Sequence, residues 1–556
     1  MPNPIYTAIT FAPVQGFIEK SRKLRDLYGS SMILSYLADQ VCDAARLHLN
    51  PQNPKADWPD DPVISPACIS VTQGTPNQIL IRGEFPREAA EAAFYGAWKI
   101  LCQNCRQWIE RIITTRTGGQ PWNYHWERPW QQWINHTWEF FWATGPSPND
   151  AKQRLYEKKH SRAWTGVNWV GESSSLSGMD SRAWPLLGRH SPHTRPNYVE
   201  DLEVEEFYQQ LSDLLGESII TPREQLSIPE LVKRLVTVGD ISGQNRELEL
   251  PSSFKALNRW QDANMPGEAQ REAKTNQVER WTGWFQGDGD RASDYLKQLE
   301  PDDLHEFSVR LREWGSSLKN YLPKSDKNRK TLDRDGRIVY AGGDDFLGVL
   351  YRNEPDPPLN PQECIDWLST FKSHIWNQHQ QPITVSVGFI WAAPNIPQRD
   401  VLQHCKEAEQ AAKRGGRDRL CLRVLFNGGN YLEWICPWWF LDVMQEYRDR
   451  DHKQGQDANW GHLFEDIATL EARHALTHQS DVSLALFALY FGDARRQQLE
   501  TFLWSKNDKT GILGHDASTQ DETQRLNDWI CNLAKVGFHL HRQKAPINQP
   551  MLSNAV

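Results

Sequence analysis

Val339-Tyr340-Ala341-Gly342-Gly343-Asp344-Asp345-Phe346-Leu347-Gly348-Val349 reads as two short apolar strands folded around a Gly-Gly-Asp-Asp tip, and a second acidic turn, Gly287-Asp288-Gly289-Asp290, lies upstream. Attack on the α-phosphate of a nucleoside triphosphate uses two hard cations about 4 Å apart, and carboxylates on converging backbone turns are what hold them. Glycines beside those acids allow φ > 0 and a close approach of backbone to phosphate. The paired turns point to metal-dependent nucleotidyl transfer.

Working outward, a strand at Trp281 to Gln286 precedes helical stretches at 292–299 and 304–322, and the acidic hairpin spans 337–351. A helix from Pro361 to about Gln378, a strand at Ile383 to Trp391, a helix from Arg399 to Lys413 and a strand at Leu420 to Phe426 follow. The same order opens the chain. Ile5 to Thr10 is strand-like, and Phe17, Ile18, Leu24, Leu27, Ile33, Leu34 and Leu37 are spaced as a helical region. Runs at Val63 to Val71 and Gln78 to Glu84, a helix from Pro86 to about Arg116 and a strand at Trp138 to Trp142 complete the first set. Both sets follow a βαββαβ, ferredoxin-like plan.

The fold class is therefore α+β: two ferredoxin-like domains with a helical insert between them and a C-terminal helical bundle. The expected boundaries are 1–147, 148–275, 276–435 and 436–556. The first copy has Thr10-Phe11-Ala12-Pro13 and Gly74-Thr75-Pro76-Asn77 where the second has acids, so only the second can hold metals. The first copy then either shapes the other wall of a shared site or serves as scaffold, and periodicity does not separate the two.

With 556 residues the chain is too long for one core. It has no apolar run of the roughly 20 residues that would span a bilayer, and its start lacks a basic region followed by an apolar core. A cytoplasmic location without membrane contact is expected. Nine scattered cysteines fit reduced thiols better than a disulfide framework, and Cys102-Gln103-Asn104-Cys105 reads as buried helical thiols because no second CxxC accompanies it. A net charge of -9 disfavours non-specific nucleic-acid binding, so RNA contacts should be local. Ten tryptophans between Trp108 and Trp184, with few basic residues interleaved, read as packing rather than base stacking. His474 and His478 lack the Glu or Cys that a zinc site would add.

Alternation along a strand lets Asp288 and Asp290 face the same way, whereas neighbours Asp344 and Asp345 cannot. Asp288 and Asp344 are the first candidates for direct metal ligands, with Asp345 and Asp290 beside them; the alternative for either turn alone is a solvated reversal. Lys413 ends the helix before the last strand, where it could reach a triphosphate or simply complement the helix C-terminus.

With Phe11-Ala12-Pro13-Val14-Gln15-Gly16-Phe17-Ile18, Ser21-Arg22-Lys23-Leu24-Arg25-Asp26-Leu27-Tyr28-Gly29-Ser30-Ser31, Pro76-Asn77, Asp288-Gly289-Asp290, Gly342-Gly343-Asp344-Asp345 and Glu409-Gln410-Ala411-Ala412-Lys413, the chain resembles the large signature subunit of type III CRISPR effector complexes, nearest the III-B (Cmr) branch. The resemblance implies two palm domains and synthesis of cyclic oligoadenylate from ATP by two Mg2+ or Mn2+ ions, switched on by target RNA. It places Asp288, Asp344 and Asp345 as catalytic and metal-binding residues, and Gly289, Asp290, Gly342, Gly343, Lys413 and Ser30 around the nucleotide. The implied partners are other Cmr-type subunits, CRISPR RNA, target RNA and ATP. Two departures stand out. The expected His-Asp nuclease domain does not precede the first palm, and His515-Asp516 lies near the far end, so DNA cleavage by that route is not expected. The insert offers Glu172-Ser173-Ser174-Ser175-Leu176-Ser177-Gly178 and no cysteine between Cys105 and Cys364, so zinc is not expected. Two other readings are a catalytically silent subunit that binds the CRISPR RNA tag and its neighbours, and a diguanylate cyclase, whose usual tip ends in Asp-Glu-Phe or Glu-Glu-Phe rather than Asp344-Asp345-Phe346.

Overall fold

A computed structural model describes residues 5–21, 24–67, 69, 71, 74–113, 122–161, 172–187, 198–217, 219–238, 280–324, 334–352, 356–476, 479–506, 509–515 and 522–541. Its first sheet runs β2-β3-β1-β4, all antiparallel, from β1 (Tyr6–Ala12), β2 (Val63–Ser65), β3 (Ile79–Arg82) and β4 (Glu139–Gly145). Alternation sorts β1 cleanly. Ile9 and Phe11 sit in one core with Leu37 and Val41 of the helix Leu24–Leu49 and Phe94 and Trp98 of the helix Arg87–Ile112, while Tyr6, Ala8 and Ala12 face the other way. The helix Pro148–His160 lies on that second face, with Ala151 and Leu155 buried against Ala8 and Ala143.

The second sheet runs β10-β9-β8-β5-β7-β6, from β5 (Thr282–Gly289), β6 (Arg337–Ala341), β7 (Asp345–Leu350), β8 (Val385–Ala392), β9 (Arg419–Leu425) and β10 (Tyr431–Pro437). The run β8-β5-β7-β6 repeats the order β4-β1-β3-β2, so the duplicated plan is present in space. The helix Gln398–Arg414 crosses from β8 to β9, which lie parallel. β10 extends the sheet beyond the sequence expectation; its hairpin signal is Asn427-Gly428-Gly429-Asn430.

The two sheets pack reciprocally. Leu27 of the helix Leu24–Leu49 is buried with Trp284, Val339 and Leu347 of the second sheet, and the Tyr28 hydroxyl donates to the Ile338 carbonyl at 2.8 Å. Conversely, Leu304 of the helix Pro301–Leu318 is buried with Ala8 and Leu80 of the first sheet, and Ser308 Oγ accepts from the Ala67 N–H at 2.9 Å. The two hairpin tips meet on this axis. A Cβ added to Gly342 would stand 3.2 Å from both the Gly74 carbonyl carbon and Thr75 N, a tight contact that the backbones would have to ease by a few tenths of an ångström.

Between the sheets, the helices Tyr198–Leu215 and Ile228–Leu235 attach to the first palm, with Arg234 fully buried against Asp26 at 2.7 Å and Glu224 at 2.9 Å. Trp126, Trp130 and Trp133 of the helix Tyr124–His136 are buried beside Phe207, so these tryptophans are core. Cys102 and Cys105 are buried free thiols. The helices Gly461–Ala472, Asp481–Phe491, Asp493–Thr501 and Glu522–His541 form the C-terminal bundle, joined to the second sheet through Trp529, whose indole donates to the Ile435 carbonyl at 2.7 Å. His478 and Asp516 lie outside the described residues.

Candidate nucleotide site

The acidic turns converge because β5 and β7 are neighbours, and their register sets Asp288 directly opposite Asp345. Asp344 precedes β7 in the tip, where Gly289 N–H donates to its carbonyl at 3.0 Å and Gly342 N–H donates to the Asp345 carbonyl at 3.2 Å. Gly343 takes φ +120°, which turns the chain between the two strands. The three carboxylates therefore sit at the mouth of one hairpin. Burial, then the charge of Asp288, raises Asp344 to about 7. Asp345 opens onto a cavity deep between the palms, and desolvation followed by the charges of Asp288 and Asp344 raises it as well. Tyr340 donates to both Asp345 oxygens, at 3.2 and 3.3 Å.

Lys413 comes from the last turn of the helix Gln398–Arg414, which closes on the sheet because Gly388 of β8 leaves room: a Cβ there would fall 2.5 Å from Glu409 N. Its ammonium pairs with Asp288 and lies 2.6 Å from Glu409. Burial works against that charge, but Asp288 and then Glu409 outweigh it and hold Lys413 above the usual lysine range. Burial raises Glu409 in turn, with Lys413 opposing the shift.

Asp290 does different work from the other acids. It is 5% exposed and accepts from Ser386 Oγ at 2.7 Å, Thr384 Oγ1 at 2.8 Å and Asp418 N–H at 3.0 Å. The strand ends at Gly289, so Asp290 is consumed in tying the turn to β8 and to the loop after Lys413. That loop places Arg417 and Asp418 at φ +61° and +51°, and Lys372 secures Asp418 at 2.6 Å. Asp290 thus positions the site and is not available as a ligand in this arrangement. Ser30 is also placed away from the wall: it is fully buried and donates to the Asp26 carbonyl at 2.7 Å, while its neighbour Ser31 lines the cavity.

The cavity is about 1990 Å³ and is shared by both palms, with Ser31, Ser35, Gly74 and Asn77 on one side and Asp288, Gly342, Gly343, Asp344 and Asp345 on the other. Single ligand pockets run to roughly 1,000 Å³, so it has room for two nucleotides. The acids suit a hard divalent ion: all are oxygen donors, and their mutual repulsion is what such an ion would relieve. Among the described residues, however, no three His, Cys, Asp or Glu side chains form a ready metal cage, because Asp288 is turned to Lys413 and Asp345 to Tyr340. Glu409, Tyr340, Thr384, Ser386 and Asp418 carry the site without having been assigned a part by sequence. Only Glu409 had a readable signal, its place one helical turn before Lys413.

Residues 282–421 match the family model described as Cas10/Cmr2, second palm domain, and residues 6–112 match that of CRISPR-associated protein Cmr2, N-terminal. No curated protein matches the chain in sequence. Among solved structures, type III-B Cmr-beta in its apo state is 11% identical with a TM-score of 0.51, over 97% of this chain and 82% of that one. Csm1 of T. onnurineus is 13% identical with a TM-score of 0.46, over 97% and 70%. A Csm1–Csm4 cassette in complex with cA4 is 13% identical with a TM-score of 0.43, over 96% and 70%.

Proposed function

The chain belongs to the Cas10/Cmr2 family of type III CRISPR large subunits, and from that premise we propose that it joins ATP into cyclic oligoadenylate within a Cmr-type, III-B ribonucleoprotein when target RNA pairs with the CRISPR RNA. The observation that carries this reading is the cross-strand pair Asp288 and Asp345, with Asp344 beside it, at a cavity that both palms line. Asp288, Asp344 and Asp345 would hold two Mg2+ or Mn2+ ions. When bound, these supply charge neutralisation and a more acidic attacking hydroxyl. In the reaction, a ribose 3′-hydroxyl gives up its proton to solvent as its oxygen forms a bond to the α-phosphorus of a second ATP, the bond from that phosphorus to the bridging oxygen breaks, and pyrophosphate leaves. Lys413 exchanges Asp288 for a phosphate oxygen of the donor nucleotide, a role suited to a mobile point charge. Asp290 holds the turn rigid, and Gly342 and Gly343 keep side chains out of the phosphate path. Zinc has no part in this scheme.

The site supports a second reading, a silent subunit that binds the RNA tag and its neighbours, because Asp288 is already satisfied by Lys413. Incubating the assembled complex with target RNA, ATP and Mg2+ tests both. Oligoadenylate that disappears in the Asp344→Ala/Asp345→Ala variant is the expected result. An RNA-binding complex that makes none supports the silent subunit, and preferential use of GTP in competition overturns the choice of ATP.

A further inference from the structure

Besides the acids, an apolar cluster lines the shared cavity. Ala8 and Leu80, register partners on β1 and β3, belong to it. Leu155 and Lys152, one turn apart on the helix Pro148–His160, line the cavity there, as do Leu296 and Leu304 of the second palm. Leu155 and Leu304 are core residues, so this part of the cavity is built into the packing between the palms.

Most cations on the cavity wall are engaged. Lys20 pairs with Asp180 at 2.8 Å, Lys406 with Glu19 at 2.8 Å, Arg25 donates to Thr237 Oγ1 at 2.7 Å, and Arg312 donates to the Gly74 carbonyl at 2.6 Å. Lys152 differs, since among the described residues no hydrogen bond or ion pair engages it and desolvation alone acts on its ammonium, lowering it to about 8. A lysine held in a lined cavity without a counterion has paid for desolvation and gains back charge stabilisation only from an anion that enters.

We propose that Lys152 binds the 5′-triphosphate of the acceptor, the growing adenylate chain whose 3′-oxygen attacks. The inference rests on the nucleotidyl-transfer reading. The donor's phosphates must lie at Asp288, Asp344, Asp345 and Lys413, because its α-phosphate reacts there. The acceptor offers only its 3′ end to the acids, so its own triphosphate points elsewhere in the same cavity, and the unpaired Lys152 is where charge favours it. Lys152 is on this account a specificity residue that reads the 5′ end of the growing chain.

The test compares two acceptors in the assembled complex with target RNA: an adenosine dinucleotide bearing a 5′-triphosphate and the same dinucleotide without it, each extended with labelled ATP. The native protein should prefer the triphosphorylated acceptor. Lys152→Ala should raise the KM for that acceptor about tenfold, as losing one charge-assisted contact predicts, and leave extension of the unphosphorylated one unchanged. Lys152→Arg should keep most of the preference. Equal use of the unphosphorylated acceptor by variant and native protein shows that the variant is folded. A Lys152→Ala complex that retains the native preference overturns the proposal. Should the native complex extend neither acceptor, the nucleotidyl-transfer reading fails by itself. Equilibrium binding of the two dinucleotides then decides on Lys152, with an unchanged ratio in Lys152→Ala counting against it.

Discussion

The two palms present the same hairpin with opposite chemistry. At the first tip, Asn77 Nδ2 donates to Thr10 Oγ1 and to the Phe11 carbonyl, both at 3.1 Å, a neutral knot that satisfies itself. At the second, Asp288, Asp344 and Asp345 crowd together and depend on one lysine for compensation. The surrounding scaffold is shared, since each palm lends a helix to the open face of the other. One scaffold thus carries a neutral, self-satisfied tip in one copy and a cluster of mutually repelling acids in the other.

Breaking the charged tip should have the largest effect. Asp344→Ala with Asp345→Ala removes oxygen donors that no neighbouring side chain replaces, and product formation by the RNA-activated complex should fall by about a thousandfold or more, the several kcal/mol that metal-assisted charge stabilisation supplies. RNA binding should be unaffected, and a filter-binding assay on the same preparation checks it. Lys413→Ala comes next. It leaves Asp288 and Glu409 without their shared counterion and should lower kcat by roughly a hundredfold, the scale of a lost electrostatic donor, with Lys413→Arg recovering part of it. A Lys413→Ala complex with native turnover would remove the lysine from the reaction.

The neutral tip tests the other half. Asn77→Asp loses two donated hydrogen bonds and sets a carboxylate against the Phe11 carbonyl, so it should destabilise the protein by about 1–3 kcal/mol without creating a second active palm. Thermal unfolding and product assay together check this. A stable Asn77→Asp protein with raised output would mean that the first palm is a latent copy of the second.

Much of this contrast was legible in sequence, because strands with one buried face alternate and both acidic turns sit at strand ends where glycine marks a reversal. β5, β7 and β8 fall where the pattern puts them, and so does the second-copy order. Side-chain partnership was less accessible. Asp290 has the alternation of a ligand, yet its fate depends on Thr384, Ser386 and Asp418, which only the register of β5 with β8 brings near. Ser30 and Ser31 differ by one step of helical phase, about 100°, which motif resemblance does not resolve. Lys413 and Asp288 meet across 125 residues of chain, and no local pattern encodes that contact.

A weaker effect needs neither RNA nor nucleotide. Burial and Asp288 raise Asp344 to about 7 in the folded, metal-free protein, above the ordinary carboxylate value of 3.8. The folded state therefore binds that proton more tightly than the unfolded chain, so stability is lost as pH rises from the unfolded value through the folded one, and the whole penalty is present above it. Asp344→Asn removes the titration. It should raise the stability of the metal-free protein by on the order of 1 kcal/mol at pH 8, after discounting for solvent in the cavity, and by less at pH 5. The first tip has no such charge, so a neutral substitution at Thr10 should show no pH-dependent gain. Melting curves at the two pH values decide the point. An Asp344→Asn gain that is equal at both would show that the acids at this tip do not repel one another, and the charged hairpin would then be as self-sufficient as its neutral partner.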